Sequence, residues 1–211
     1  MNKFAEFEIK KYFSNYKIVQ RKTLSNAFLM KCEKITINNN KSFVAKYYIE
    51  DNKNINSIIS EYKSLKYLQN KFPNLFPKLR FSSDNLLLID YVEHNNKKND
   101  DYQKILAEKI LKIHKVSNDK YGFDFDTQIG GLKQPNKYNS NWINFFRINR
   151  LNMIFEKISN KNPLPNQMNF QINILLKDLE NRLPKNPKIS LLHGDLWSGN
   201  ILFNDGKLVS L

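Results

Sequence analysis

The chain has 211 residues, 41% of them hydrophobic and 13% aromatic, enough to bury a core as one large domain or two lobes and too apolar for a disordered chain. No apolar run approaches the roughly 20 residues of a membrane helix, the start MNKFAEFEIKKYF lacks the apolar stretch of a signal peptide, and the single Cys32 excludes an intramolecular disulfide or a cysteine-only zinc site, so a soluble cytoplasmic protein without a membrane partner is expected. The net charge of +14 comes mostly from Lys scattered among Asn and Ile; Arg stands only at 21, 80, 147, 150 and 182 and no nucleic-acid-binding motif accompanies it, so nucleic acid is not expected as a partner.

In chain order, residues 4–13 read as a short amphipathic helix. KIVQRK (17–22), AFLMKCEKITI (27–37) and SFVAKYYI (42–49), the last two separated by the turn Asn38-Asn39-Asn40, read as an antiparallel three-stranded meander. INSIISEYKSLKYLQNKF (55–72) places Ile55, Ile58, Ile59, Tyr62, Leu65 and Leu68 at helical spacing before Pro73 and Pro77. KLRF and NLLLIDYV (85–92) add two strands, which makes a five-stranded antiparallel first half. The polar linker HNNKKNDD (94–101) leads to helices at 102–114, 140–158 and 166–183, with a loop containing YGFDFDTQIGG and QPN between the first two. ISLL (189–192) reads as strand-like, and ILF-NDG-KLVSL as a strand, a tight turn and a strand. Two lobes joined by a short polar hinge near 90–98 suggest a cleft.

The motif that carries chemistry is LLHGDLWSGN (191–200). Asp195 and Asn200 are spaced D-x-x-x-x-N, as in a phosphoryl-transfer loop where the carboxylate accepts the substrate hydroxyl proton and the amide oxygen holds Mg²⁺. Such a pair alone is a weak signal, but two further residues fall in the matching order. Lys46 stands in a strand as FVAK, where a lysine pairs nucleotide phosphates, and Glu61 follows on the next helix as its expected ion-pair partner. His193 is read as a residue that orients the loop, and Trp142 as an aromatic anchor for the helix 140–158.

HGDL-x-x-x-N resembles the loop of the aminoglycoside and choline kinase-like superfamily, and HGDLWSGN is similar to the fructosamine (ketosamine) 3-kinase family. A second block, HKVSNDKYGFDFDTQIGGLKQPNKYNSNWINFFRINRL (114–151), resembles that family's succession of YGF, D-T-x-I-G, QPN, Trp and FF-x-x-x-RL. The resemblance covers essentially the whole chain, more loosely in its first half.

The resemblance implies a protein-kinase-like two-lobed α+β fold, with residues 1–92 as the nucleotide-binding lobe and 93–211 as a helical catalytic lobe. It implies ATP-dependent phosphorylation of the 3-hydroxyl of a small-molecule or protein-bound ketosamine, with ATP and Mg²⁺ as cofactors. Asp195 would be the base, Asn200 the metal ligand, Lys46 and Glu61 the phosphate-binding pair, and Asp90, Tyr91 and Val92 the segment receiving adenine. Trp197 would stack on the sugar. Two departures set other readings beside this one. The nucleotide-covering turn, placed at RKTLSNAF (21–28), has no glycine, and the first glycine in the chain is Gly122. The second metal-binding Asp of kinases would fall just beyond Leu211, so the catalytic lobe reads as truncated. The alternatives are another small-molecule kinase of the superfamily or a catalytically inactive pseudokinase.

Overall fold

The structure is a computed structural model that describes residues 3–27, 29–50, 57–129 and 132–211. Phe28, Ile55, Gly130 and Gly131, each part of a sequence expectation above, lie outside the described residues. Two compact units are present: Met1–Glu108 with Gln128–Leu132 and Gly194–Leu211, and Lys109–Thr127 with Lys133–His193.

The first unit is built on a five-stranded antiparallel sheet, as the sequence pattern predicts. The helix α1 (Lys3–Tyr12) precedes the strands β1 (Ile18–Ala27), β2 (Met30–Ile37) and β3 (Ser42–Tyr48). The helix α2 (Ser57–Lys71) and the strands β4 (Leu79–Ser82) and β5 (Leu86–Asp90) follow, and the strands lie in the order β1-β2-β3-β5-β4. The central strands β3 and β5 are apolar without alternation because both sheet faces are covered. Phe43, Ala45, Tyr47, Leu86 and Leu88 pack against Ala5, Ile9 and Phe13 on one face. Val44, Tyr48, Leu87 and Ile89 meet Ile58 and Leu65 of α2 on the other. Ala5 and Ile9 lie four apart on one helix stripe, which is how a ten-residue helix closes its half of the core. Tyr48 Oη accepts the Ser57 N–H at 2.5 Å, a partner for one of the otherwise unbonded amides at the start of α2.

The same unit holds the two-stranded hairpin β8 (Leu202–Asn204) and β9 (Lys207–Ser210), whose turn places Asp205 and Gly206 at φ 45° and 81°. This is the tight turn the NDG sequence calls for. The helix α3 (Tyr102–His114) begins in the first unit and ends in the second. Two short strands that the sequence read as loop, β6 (Thr127–Ile129) and β7 (Leu132–Gln134), pair with each other.

In the second unit the helix expected at 140–158 is α4 (Trp142–Phe146), a π-helical segment over Arg147–Asn152, and α5 (Met153–Lys161) in succession. Asn141 caps its start by accepting the Asn144 N–H at 2.8 Å. The expected helix 166–183 is broken at Asp178 into α6 (Asn166–Lys177) and α7 (Leu179–Arg182). Asp178 takes a non-helical φ of −92° and ψ of 6°, and its carboxylate accepts Arg182 Nε at 2.7 Å. ISLL forms no strand. Leu191 donates one backbone bond to Val116, Ser117 Oγ reaches the Ile189 carbonyl, and Leu192 is exposed, so this apolar run has no strand beside it to complete a ladder. Trp142 stacks on Phe145 with centroids 5.8 Å apart and lies 5.2 Å from Tyr121, the anchoring position read from the sequence. Among the described residues no helix is long and apolar enough to cross a membrane.

Candidate active site

Lys46 and Glu61 form an ion pair. Lys46 follows Val44 by two residues on β3 and so shares the α2 face of the sheet, while Glu61 is one helical turn on from buried Ile58. Their Nζ and Oε1 atoms are 2.5 Å apart, each side chain about a quarter exposed. Burial opposes the ammonium charge, but the Glu61 carboxylate outweighs it and holds the Lys46 pKa above the ordinary lysine value. Cys32 is the cross-strand partner of Lys46 on β2. Burial pushes its thiol up despite the nearby ammonium.

Asp90, Tyr91 and Val92 leave the end of β5, and two of their backbone donors are engaged. The Asp90 N–H reaches the Lys78 carbonyl at 2.8 Å and the Tyr91 N–H the Ser42 carbonyl at 3.1 Å. The Asp90 carboxylate is held by Arg80 through two bonds, 2.6 and 2.7 Å. Val92 accepts a bond from His94 Nδ1 at 2.9 Å. Lys34 of β2 lies 3.6 Å from the Tyr91 ring centroid and 3.1 Å from Glu93 Oε1. The Asp90 and Tyr91 N–H groups and the Asp90 carboxylate are thus already engaged within the protein.

The stretch 21–28 is largely strand and not a turn. β1 runs on to Ala27, which pairs with Met30, and only residues 28 and 29 separate the two strands. Leu29 has φ 63°, as the hand of a two-residue hairpin requires. The register shifts between Thr23 and Ser25, next to the Ser25–Cys32 pair that shares the Lys46 row.

Asp195 and Asn200 are locked together. A 3₁₀ turn over Ser198–Asn200, with the Asn200 N–H bonded to the Trp197 carbonyl at 2.9 Å, folds the loop back on itself. Asn200 Nδ2 then donates to the Asp195 backbone carbonyl at 2.8 Å and to its Oδ2 at 3.0 Å. The amide orientation follows from this bonding, and it leaves Asn200 Oδ1 facing away from the carboxylate. Gly194 enters the loop at φ 87°, a conformation that favours glycine. The Trp197 indole lies against Gly199, where a Cβ would come within 2.4 Å of its six-membered ring, and is 59% exposed. His193 is half-buried.

Among the described residues no group of three His, Cys, Asp or Glu is assembled for a metal. The oxygens on offer in the loop are Asn200 Oδ1 and the Asp195 carboxylate, a set that fits Mg²⁺ only when nucleotide phosphates supply further ligands.

The block 114–151 owes its sequence to a polar hub. Buried Asn136 donates Nδ2 to the Phe125 carbonyl and Thr127 Oγ1, both at 3.0 Å, and its N–H to Asp126 Oδ1 at 3.0 Å. Arg150 donates to Asn136 Oδ1 at 2.7 Å and to the Pro135 carbonyl at 2.6 Å. Gly122 has φ 132°, and a Cβ there would stand 2.7 Å from the Asn136 carbonyl. The YGF, D-T, QPN and RL pieces are thus mutually bonded. Sequence reasoning singled out none of Asn136, Arg150 or Lys34 individually; only the block containing the first two gave a signal.

The fructosamine kinase family model matches residues 1–210. The chain is 34% identical over 98 residues to "Probable ketoamine kinase YniA" of Escherichia coli K12, covering 46% of this chain and 33% of that one. It is 23% identical over 191 residues to "Probable ketoamine kinase VP1481" of Vibrio parahaemolyticus, covering 88% and 64%. The chain thus spans less than two thirds of the length of these relatives. Among solved structures, a Thermobifida fusca protein named provisionally as a fructosamine-3-kinase superposes with TM-score 0.80 at 17% identity, covering 100% of this chain and 73% of the other. A Haemophilus somnus protein of the same provisional name gives TM-score 0.74 at 25% identity, covering 95% and 69%. The gentamicin complex of APH(2")-IIa gives TM-score 0.68 at 16% identity, covering 100% and 69%. The fold is that of the kinase-like aminoglycoside phosphotransferases, and with a family model matched over residues 1–210 the chain belongs to the fructosamine kinase family.

Proposed function

We propose that this chain transfers the γ-phosphoryl group of ATP to the 3-hydroxyl of a ketosamine, in the cytoplasm, on small-molecule or protein-bound substrates. The observation that carries the reading is the Asn200–Asp195 lock, because it fixes a carboxylate and leaves an amide oxygen free within one short loop. In the reaction the substrate O3 attacks the γ-phosphorus in line, the bond between that phosphorus and the bridging oxygen breaks, and ADP leaves. Asp195 takes the hydroxyl proton. Lys46, held by Glu61, neutralises phosphate charge, and Asn200 Oδ1 would hold the Mg²⁺ that shares that task when nucleotide is bound. Backbone groups at 90–92 receive the adenine, Trp197 stacks on the sugar, and His193 orients the loop. Residues 1–92 serve as the nucleotide lobe and 93–211 as the catalytic lobe. Phosphorylation at O3 would destabilise the ketosamine and release the amine, a repair of glycation.

The test is product formation from Mg²⁺–ATP with synthetic ribulosamine and fructosamine, beside an Asp195→Asn control. Phosphorylated ketosamine made by the wild type and lost in the control supports the reading, and no product above the control sinks it. A second reading, a non-catalytic nucleotide-holding protein, is favoured by the glycine-free β1–β2 hairpin; it predicts ATP binding without product. Product from an aminoglycoside or choline in place of a ketosamine would assign another small-molecule kinase.

A further inference from the structure

Asn95, in a linker that the sequence marks only as polar, makes the densest set of bonds between that linker and the β8–β9 hairpin. Its Nδ2 donates to Asp205 Oδ1 at 3.0 Å, and its Oδ1 accepts the Asp205 N–H at 3.2 Å and the Lys97 N–H at 2.9 Å. The N–H groups of Asn95 and Asn96 both reach the Phe203 carbonyl, at 3.1 and 2.8 Å, and Gly206 N–H returns to the Lys97 carbonyl at 2.9 Å. Phe203 is fully buried and meets the Tyr102 ring edge-on at 6.1 Å. The segment that leaves β5 is therefore fastened to the turn of the hairpin whose first strand begins two residues after Asn200. At its other end the same segment is held to β2 by Lys34, through Tyr91 and Glu93.

We propose that Asn95 is a positioning residue: its clasp on Asp205 ties the base-receiving segment to the loop carrying Asp195 and Asn200. The role rests on the kinase reading above. The hairpin cannot shift without breaking bonds to residues 95–97. Asn95 touches no reacting atom and acts through the hairpin.

Reciprocal exchange tests this. Asn95→Asp keeps both backbone bonds accepted by the side chain but sets two carboxylates against each other. Adding Asp205→Asn restores an amide–carboxylate pair with the donor on the opposite side. The measurements are amide hydrogen exchange across 195–204 in the full chain, and kcat and KM for Mg²⁺–ATP with ribulosamine. Asn95→Asp should raise exchange in 195–204 about tenfold and lower kcat about tenfold, with KM for ATP changed less than twofold and the circular dichroism unchanged; the double variant should return all of these to wild type. Wild-type exchange in the single variant, or no recovery in the double, overturns the inference. If Asn95→Asp does not fold, the double variant decides by the same criterion. A wild type that makes no product sinks the kinase reading, while the exchange arm still decides the clasp.

Discussion

Arg150 Nη2 donates to Asn136 Oδ1 at 2.7 Å, and Nη1 of the same guanidinium donates to the Pro135 and Asn149 carbonyls. A planar fork with several donors is what this hub needs; an ammonium satisfies only part of it. Arg150→Lys should lower stability by about 2 kcal/mol, since a buried amide oxygen or carbonyl loses its donor. Thermal denaturation of the pair of proteins checks this, and an unchanged midpoint would show that the hub is dispensable.

The Lys46–Glu61 pair is partly exposed, so its worth lies in the site more than in the fold. Lys46→Met and Glu61→Gln should each weaken Mg²⁺–ATP binding about tenfold, equivalent to roughly 1.4 kcal/mol, with stability shifted by less than about 1 kcal/mol. The double variant should lose little beyond either single one, as for two residues acting as a unit. Calorimetric titration with ATP reads the first effect and chemical denaturation the second.

Glu33 supplies a pH dependence. Burial would raise its carboxyl, but Lys31 at 2.5 Å and Arg21 at 2.6 Å donate to it, and the result lies below the ordinary glutamate value. A depressed folded pKa contributes stability above the unfolded value of about 4.3, and that contribution is lost as pH falls through the folded value. Glu33→Gln should therefore cost about 2 kcal/mol near neutrality, and the gap to wild type should narrow as pH falls below about 4.3. Urea titrations at a series of pH values would show it; a gap independent of pH would contradict the assignment.

Leu29 holds a left-handed φ of 63° without the glycine such a turn favours. Left-handed backbone disfavours a side chain with Cβ by about 1–2 kcal/mol, against roughly 0.5–1 kcal/mol for the added freedom of unfolded glycine. Leu29→Gly should raise stability by about 0.5 kcal/mol or slightly more, read from the denaturation midpoint. If ATP affinity rises as well, the absent glycine limits nucleotide binding.

The sheet was legible because β3 and β5 are strong apolar runs set between turn residues, and α2 and α3 because their periodicity is clean. The Lys46–Glu61 and Asp195–Asn200 pairings were legible because the four residues keep a fixed order on recognisable elements. ISLL misled, since apolar composition cannot say whether a neighbouring strand exists. RKTLSNAF misled in the other direction: the family resemblance placed a turn there, yet Ser25 and Asn26 are paired strand residues. Asn95 carried no signal at all. One Asn in a polar linker looks like any other until the turn at Asp205 is folded beside it.

The π-helical segment at Arg147–Asn152 amounts to one surplus residue threaded into an otherwise α-helical path. Each residue of an α-helix advances the side-chain direction by about 100°, so the surplus resets the compass bearing of everything beyond it. Within this segment Arg147 Nε reaches the Leu176 carbonyl and Arg150 turns back on its neighbour's carbonyl. Deleting one residue here would tighten the coil to regular pitch while swinging either Arg150 or the stripe of α5 out of alignment. The segment is a phase adjuster, and the two arginines are the readings it brings into step.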